Sequence, residues 1–253
     1  MAVRKKKKQS TTPRKKQSKG FGAFIIKCFK FLLWCIIIFF GLSLGIVLFY
    51  KWVDPPFTFL MAKRKITAIF RGEPSKIHYD FVPYNQIGDY LKVAVVASED
   101  QKFPFHNGFD LVSIAKAMEH NKFARKVHGA STISQQTAKN VFLWDGRNFV
   151  RKGLEVYFTF LIEQIWGKKR ILEVYLNVIE MGPLTFGAEA VSYKYFSKPA
   201  RKLSKEQACA IAAVLPGPLL FSINNPTRYI QHRKIWISRQ IDNLGGTKYI
   251  NLK

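Results

Sequence analysis

Two adjacent carboxylates, Glu99 and Asp100, follow a run of small apolar residues at positions 93–97. This run predicts the end of a buried helix, and an aromatic, irregular loop follows it at positions 103–108. Burial beside aromatic side chains raises the pKa of a carboxylate toward that of a useful general base. The alternative is that either residue only caps the helix end or pairs with a lysine. The pair alone does not decide between a catalytic and a structural role.

A second polar stretch, at positions 129–140, opens a predicted helix with small and hydroxyl-bearing residues. Backbone N–H groups at such a helix start can meet an anion, and Lys139 adds a positive charge two turns later. Thr132 and Gln135 have the spacing of a capping box, which explains those two residues structurally. Capping leaves the adjacent polar residues Ser134, Gln135 and Gln136, and the adjoining Lys139 and Asn140, without a further role.

A third cluster combines Arg151, Lys152 and Glu155 on one predicted helix. The spacings i,i+4 and i,i+3 place both cations on the same face as the glutamate. The ordinary interpretation is a solvated ion pair that contributes a few tenths of a kcal/mol. Because the rest of this helix is apolar, the carboxylate could instead lie at the rim of a cleft. An arginine fork and a lysine point charge suit a diphosphate.

The stretch at positions 168–182 places Arg170, Glu173 and Asn177 along one stripe of a further helix. We expect Glu173 to pair with Arg170. No second histidine or cysteine lies near His106 in the sequence, so we expect a structural hydrogen bond there and not a metal ligand.

Together, a carboxylate in an aromatic loop and a second carboxylate among cations predict glycosyl transfer. Transfer of a sugar to an alcohol needs a base on the incoming hydroxyl. A diphosphate leaving group needs no acid, but its charge must be met by Lys, Arg or a divalent metal. A glycoside hydrolase would need a carboxylic acid facing the leaving oxygen. The cations beside the glutamates favour the transferase.

The chain has 253 residues and a formal charge of +25, from 41 basic and 16 acidic residues. Eleven of the cations lie in residues 1–30, which hold no acid, so the remaining chain carries +14. Nucleic acid, an anionic membrane or a phosphate-bearing substrate would each suit that excess. The three cysteines, Cys28, Cys35 and Cys209, have neither a disulfide pattern nor metal-ligand spacing.

The N-terminal part predicts a membrane anchor. Residues 1–20 are basic and polar, so we expect a disordered tail. Within residues 21–51 lies an uncharged apolar stretch of 20 residues, which is long enough to span a bilayer. Its length and the following Lys51 and Trp52 favour an uncleaved anchor, with the tail cytoplasmic and the rest outside. A nucleic-acid-binding tail is the alternative for the lysine run.

Residues 52–86 are interpreted as a juxtamembrane connector. Alternating apolar and polar residues at 65–72 and 76–84 predict two short strands, joined as a hairpin around positions 72–74.

Residues 87–253 predict a mostly α domain. Asp110 can cap a helix that carries Leu111, Ile114, Ala115 and Met118 on one face. Longer helices are expected at about 148–166 and 168–180. Ser204 and Gln207 form another capping box for a small-residue helix, and a last amphipathic helix follows Pro226. The side chains expected to face the core of the two longer helices are Val150, Leu154, Phe158, Leu161, Ile162 and Ile165 in the first, and Ile171, Leu172, Tyr175, Leu176 and Ile179 in the second.

Five ordered segments resemble the glycosyltransferase family 51 peptidoglycan polymerases, most closely the monofunctional transglycosylases with one membrane anchor. The resemblance covers about residues 50–245. The segments are SEDQKFPFHNGFD, GASTISQQTAKN, RKGLE, KKRILEVYLNVIEMG and the helix from Leu203 to Pro216.

The resemblance implies a lysozyme-like, mostly helical fold beside the membrane, with lipid II as substrate. Glu99 matches the family's base, which deprotonates the GlcNAc 4-hydroxyl of the acceptor. Glu155 matches a glutamate near the donor diphosphate that is tied to cation or metal binding, with Mg²⁺ or Mn²⁺ as the candidate ion. Attack at C1 of the donor then inverts the anomeric centre and gives a β-1,4-linked strand. The positions expected to bind substrate are Lys139, Arg151, Lys152, Ser131, Thr132, Gln136, Asn140, Phe103 and Asp100.

The resemblance also implies a single-pass protein of the inner membrane with a periplasmic catalytic domain. Expected partners are lipid II, the growing glycan chain and proteins of cell-wall synthesis and division, without nucleic acid. We expect no transpeptidase domain, since the chain ends at Lys253.

Two departures from the family pattern stand out. Phe105 stands where many relatives carry an acidic residue, which leaves no third carboxylate at that point of the first loop. Val191 and Ser192 replace common alanines, and we expect a neutral packing change.

Three alternatives follow from the residues. One is a muramidase-type hydrolase on the same fold, against which the cations around Glu155 argue. Another is a membrane scaffold whose basic surface binds anionic lipid or partner proteins. The third is DNA binding, which an extracytoplasmic location disfavours.

Overall fold

The computed structural model describes residues 19–122, 129–146 and 148–252. The expected disordered tail at residues 1–20 therefore lies almost entirely outside the described residues. Contacts divide the chain into one unit that ends at Gly45 and another from Ile46 to Lys253.

The first helix, α1, runs from Lys19 to Trp52. Its segment Phe24–Trp52 contains a stretch of 18 residues with a mean hydropathy of 2.8, and among the described residues it is the one helix long and apolar enough to cross a membrane. This helix fits a single-pass membrane anchor.

The connector folds differently from the prediction. Helix α2 spans Phe59–Phe70, so the predicted strand at 65–72 and its hairpin are wrong. The alternation of apolar residues there was too short to distinguish a strand from a helix. Met61 and Ala68 lie two turns apart and are buried together, which gives the segment a helical period. The Thr58 hydroxyl caps its first turn by accepting from the backbone N–H of Met61.

A small sheet forms from three short strands of the described residues, in the order β1-β3-β2. Strand β1 is His78–Tyr79, β2 is Glu180–Gly182 and β3 is Thr185–Phe186. Strand β1 pairs parallel with β3, while β2 and β3 are antiparallel. Of the strand predicted at 76–84, only His78 and Tyr79 are in a strand, and they pair with residues more than 100 positions later in the chain.

Two groups of helices form the core of the larger unit. In one, α3 (Asp89–Glu99) packs against α9 (Lys205–Val214) and α10 (Arg228–Asn243). In the other, α5 (Ile133–Phe142) packs against α6 (Phe149–Ile165) and α7 (Gly167–Val178). Helices α4 (Leu111–Asn121) and α8 (Ala188–Phe196) complete the set. The mostly helical fold expected from the sequence is confirmed.

Capping predictions are confirmed at three helix starts. Asp110 accepts from the backbone N–H of Ser113 at α4. Reciprocal capping boxes open α5 at Thr132 and α9 at Ser204. These contacts lie within three residues in sequence, so the local pattern specifies them.

Burial follows the predicted faces with exceptions. All five residues expected inward on the helix at 168–180 are buried, and on α6 Phe158 and Ile162 are buried. Val150, expected inward, is exposed because it lies in the first turn of α6. Helix α4 has no buried residue, so its apolar face at Leu111 and Met118 is exposed.

Candidate active site

Glu99 is the last residue of α3, whose preceding residues 91–97 are all buried. Its side chain is 15% exposed and makes contacts on both carboxylate oxygens. Gln136 on α5 donates to Oε2 at 3.2 Å, and the Ser98 hydroxyl donates to Oε1 at 3.3 Å. Arg233 on α10 places Nη2 3.6 Å from Oε1. Three helices therefore fix one carboxylate.

The electrostatic setting of Glu99 suits a general base. Burial raises the pKa of Glu99 from its ordinary value of 4.5, and the charge of Asp100 acts in the same direction. The contacts with Gln136, Arg233 and Ser98 oppose this rise. A carboxylate with a raised pKa binds a proton more readily, as abstraction from a sugar hydroxyl requires.

The amide of Gln136 is oriented by Tyr175 on α7. The buried Tyr175 hydroxyl donates to Gln136 Oε1 at 3.1 Å, which leaves the Gln136 NH₂ to donate to Glu99. Burial also raises the pKa of Tyr175 well above its ordinary value, so the phenol keeps its proton and remains a donor. The sequence indicated Gln136 but gave no reason to connect it with Tyr175.

Asp100 makes different contacts from those of Glu99. His106 Nε2 donates to its carboxylate at 2.9 Å, and the backbone N–H of Ile133 donates at 3.0 Å. The backbone N–H of Gly108 in turn donates to His106 Nδ1. Asp100 therefore connects the first loop to the start of α5, and the structural hydrogen bond expected for His106 is confirmed. Its substrate contact stays a prediction.

Phe103 anchors the same loop through its buried ring. Its ring is 0% exposed, and Lys168 Nζ lies 4.7 Å from the ring centroid. Lys168 also forms an ion pair with the buried Glu163, which accepts a hydrogen bond from Ser134. The substrate contact expected of Phe103 stays a prediction, and in this structure the ring has no exposed surface. The hydrogen bond to Glu163 gives Ser134 a structural role.

An open cavity of about 370 Å³ lies beside Glu99. Its lining includes Lys102, Ser131, Thr132 and Trp236 of α10. The cavity thus brings three of the predicted polar positions, Asp100, Ser131 and Thr132, to the base. Thr132 also has structural contacts, since its hydroxyl donates to the carbonyl of Gly108 and its backbone is capped by Gln135. The lining does not include Lys139, Arg151, Lys152 or Glu155.

The cations predicted for the diphosphate gather where α5 and α6 pack. Glu155 is 4% exposed, with Arg151 Nη1 2.6 Å from Oε2 and Lys152 Nζ 2.5 Å from Oε1. The solvated ion pair considered from the sequence is therefore wrong, because the carboxylate is buried. Within the described chain, Arg151 Nε is buried without a hydrogen-bond partner.

Lys139 adds a third positive charge to this cluster. Burial lowers the pKa of Lys139, the charges of Arg151 and Lys152 act likewise, and Glu155 and Asp145 oppose the shift. Across residues 19–122, 129–146 and 148–252, no carboxylate lies within ion-pair distance of its ammonium. With Asn140, it lines a narrow cleft that also includes Trp144 and Asp145. The cluster therefore has a surplus of positive charge.

One helix connects the base to the cation cluster. Gln136, which contacts Glu99, and Lys139 are three residues apart on α5, so their Cβ atoms lie about 5–6 Å apart on one face. A sugar bound at Glu99 and a phosphate bound at Lys139 would thus be neighbours.

The arrangement around Glu155 does not fit a divalent ion held by the protein. Both of its oxygens already pair with cations, and a Mg²⁺ or Mn²⁺ site needs several oxygen ligands. The part of the chain that the structure describes contains no group of three His, Cys, Asp or Glu residues able to hold a metal.

Sequence reasoning missed the contributions of Arg233, Ser98, Tyr175 and Trp236. Arg233 and Ser98 are 135 residues apart, and no local pattern connects them. Only the packing of α10 against α3 brings them together.

The chain is similar over most of its length to known proteins. The profile of a family described as Transglycosylase matches residues 64–242. A protein named "Biosynthetic peptidoglycan transglycosylase" from Pseudomonas entomophila L48 is 50% identical over 208 residues, which cover 82% of this chain and 88% of the relative. Proteins of the same name from Pseudomonas fluorescens Pf0-1 and Pseudomonas aeruginosa PAO1 are 49% and 48% identical, and the matches cover 90% and 88% of this chain and 93% and 95% of the relatives.

Proposed function

The chain belongs to the transglycosylase family, and we propose that it polymerises lipid II into β-1,4-linked glycan strands with release of undecaprenyl diphosphate. It is an enzyme of peptidoglycan synthesis, as the relatives' shared name and the matched profile indicate. The lipid-linked substrate, the leaving group and the stereochemistry are the parts that we propose.

The observation that carries the proposal is the position of Glu99. Its largely buried carboxylate, whose pKa burial raises, contacts Gln136, and Gln136 lies one turn of α5 from Lys139 of the cation cluster. Glu99 accepts the proton of the acceptor's 4-hydroxyl as that oxygen attacks C1 of the donor. The C1–O bond to the diphosphate breaks on the opposite face, so the anomeric centre inverts. Such a base contributes about 10²–10⁴ in rate.

The diphosphate leaves as an anion, without a proton from the protein. Lys139, Arg151 and Lys152 stabilise the negative charge that develops on its oxygen. Glu155 holds two of these cations in place through its ion pairs. This step needs fixed positive charge at the leaving group, which the residues of the cluster supply.

Exposed apolar side chains support a lipid-linked substrate. Ile69 and Phe70 are exposed at the end of α2, and Phe149 and Val150 are exposed at the start of α6, where Phe149 reaches 97%. Neighbouring apolar residues exposed at each of these two helix ends suit a surface that meets a membrane or a partner. A substrate with a prenyl tail would remain in that membrane while its sugars reach Glu99.

Location and organisation follow from the same proposal. The anchor at 21–51 crosses the inner membrane once, with the basic tail at 1–20 in the cytoplasm. The connector at 52–86 and the catalytic domain at 87–253 lie in the periplasm. The protein acts in cell-wall biogenesis and cell shape, with lipid II, the growing glycan and proteins of wall synthesis and division as partners.

The direct test is to incubate purified full-length protein with lipid II and separate the products by size. We expect a ladder of glycan polymer and free undecaprenyl diphosphate. Incubation with finished glycan strands should give no cleavage. Absence of polymer, or cleavage of finished strands, would overturn the proposal, and cleavage would favour a hydrolase.

A further inference from the structure

A cation from the C-terminal helix reaches the candidate base. Helix α10 buries Ile230, Ile237 and Ile241 against its neighbours. Arg233 lies three residues after the first of these and four before the second, so it shares their inward face. Its stem follows this apolar face, and its side chain is only 20% exposed. An arginine that served only solubility would lie on the opposite face of the helix.

The guanidinium of Arg233 makes two contacts at the end of α3. Nη2 donates to the Ser98 hydroxyl at 2.8 Å and lies 3.6 Å from Glu99 Oε1. The Ser98 hydroxyl is in turn 3.3 Å from both Glu99 Oε1 and the Ala212 carbonyl of α9. Arg233 and Ser98 thus hold one carboxylate oxygen, while Gln136 holds the other.

We infer that Arg233 is a positioning residue that, through Ser98 and its own charge, holds Glu99 ionised and aimed into the adjoining cavity. This inference rests on the proposed function of Glu99 as the base. Arg233 lies on α10, outside the five sequence segments that resemble the family. The inference therefore connects a further helix with the base.

The charges around Glu99 explain why an arginine is needed there. Burial disfavours the ionisation of Glu99 most, and Asp100 acts in the same direction, whereas Arg233 is the nearby cation that favours it. Tyr175 of α7 also faces Glu99 electrostatically but keeps its proton, and Gln136 of α5 is neutral. Without Arg233, burial and Asp100 would be opposed by neutral hydrogen bonds alone, and Glu99 would stay protonated to a higher pH.

An unsatisfied hydrogen-bond donor on Arg233 also agrees with a positioning function. Its Nε is buried without a hydrogen-bond partner in the part of the chain described. Leaving a buried donor unsatisfied is unfavourable for the fold, so stability alone does not account for this conformation.

The test compares the pH dependence of kcat/KM for lipid II polymerisation in full-length wild type and variants. In Arg233→Met we expect the acidic limb to move up by about one pH unit, since a nearby opposite charge lowers a carboxyl pKa by at least that much. Activity below the limb would then fall about tenfold and recover at higher pH. Arg233→Lys should restore most of the shift, and Ser98→Ala should give a smaller shift in the same direction. Arg239→Met, which removes the same charge from an exposed site on α10, should leave the limb in place.

Other outcomes would overturn the inference. A raised KM with an unmoved limb would make Arg233 a substrate contact. Equal loss of activity at every pH, with a lower melting temperature, would make it structural. To separate this from the proposed function, the Glu99 carboxyl carbon is titrated by NMR in the same proteins, without substrate. A midpoint that does not rise in Arg233→Met contradicts the inference even if polymerisation is confirmed.

Discussion

Gln136 donates a side-chain hydrogen bond of 3.2 Å to Glu99, so a residue of α5 holds the carboxylate at the end of α3. The same glutamine is fixed from behind by the Tyr175 hydroxyl. The bond from Gln136 lowers the pKa of Glu99 against the effect of burial. A neutral amide therefore helps to set the pH range in which the base is ionised.

Replacing Gln136 by leucine should narrow that pH range from the acidic side. The active form of Glu99 is the carboxylate, so activity is lost as pH falls through its pKa. Without the amide the pKa rises, and the loss begins at higher pH. The measurement is the pH profile of kcat/KM in Gln136→Leu. Gln231→Leu, at an exposed position of α10, serves as the control and should keep the wild-type profile. An identical acidic limb in Gln136→Leu would remove the amide from the base's environment.

Replacing Lys139 by alanine should weaken donor binding and leave the fold intact. Burial lowers the pKa of this lysine, which means that the folded state disfavours its charge. Removing the ammonium should therefore not lower the free energy of unfolding through electrostatics, while KM for lipid II rises about tenfold or more. Steady-state kinetics and thermal unfolding check both parts. Lys202→Ala removes an equal charge at an exposed site and should change neither. Wild-type kinetics in Lys139→Ala would exclude this lysine from the site.

Replacing Glu155 by glutamine should both destabilise the domain and weaken catalysis. The change leaves Arg151, with a side chain only 11% exposed, beside an uncharged partner, and breaking a buried pair in this way costs about 3 kcal/mol. The measurement is the free energy of unfolding in denaturant. Asp242→Asn breaks the more exposed pair with Lys205 and should cost under about 1 kcal/mol. An equal loss of unfolding free energy in the two variants would contradict the larger contribution expected from the buried Glu155 pair.

Gly187 should tolerate no side chain. It has a φ of +85°, and an added Cβ would lie 2.4 Å from the backbone carbonyl oxygen of Asn177. Gly187→Ala therefore combines backbone strain with a clash against α7 and should cost more than about 2 kcal/mol. Gly72 also has a positive φ, of +66°, but an added Cβ would meet open space there. Gly72→Ala should show the strain alone, near 1 kcal/mol, and the comparison is made by thermal unfolding.

Sequence patterns were sufficient where the determinants are local. Capping boxes at Thr132 and Ser204 and the buried face at 168–180 depend on residues within a few turns of each other, and each is confirmed. The strand predicted at 65–72 is wrong because its apolar alternation is brief and the burial of Met61 and Ala68 depends on tertiary packing. Exposure of Val150 likewise depends on where α6 begins to pack.

The site was only partly predictable for the same reason. Glu99 and the cations of α5 and α6 could be identified from residue type and spacing, and their functional assignment stays a prediction. Contacts that fix the base come from Tyr175 and Arg233, which are 39 and 135 residues from the side chains they touch. No periodicity encodes such distances. Residue type also does not show how deeply a side chain such as Phe103 is buried.

The central claim is that Glu99 is the proton acceptor in lipid II polymerisation, and Glu99→Gln tests it most directly. Glutamine keeps the shape of the side chain but cannot accept the proton. The rate of polymer formation should fall by about 10²–10⁴, with the melting temperature and donor binding retained. Polymer formation by folded Glu99→Gln within tenfold of the wild-type rate would contradict the account.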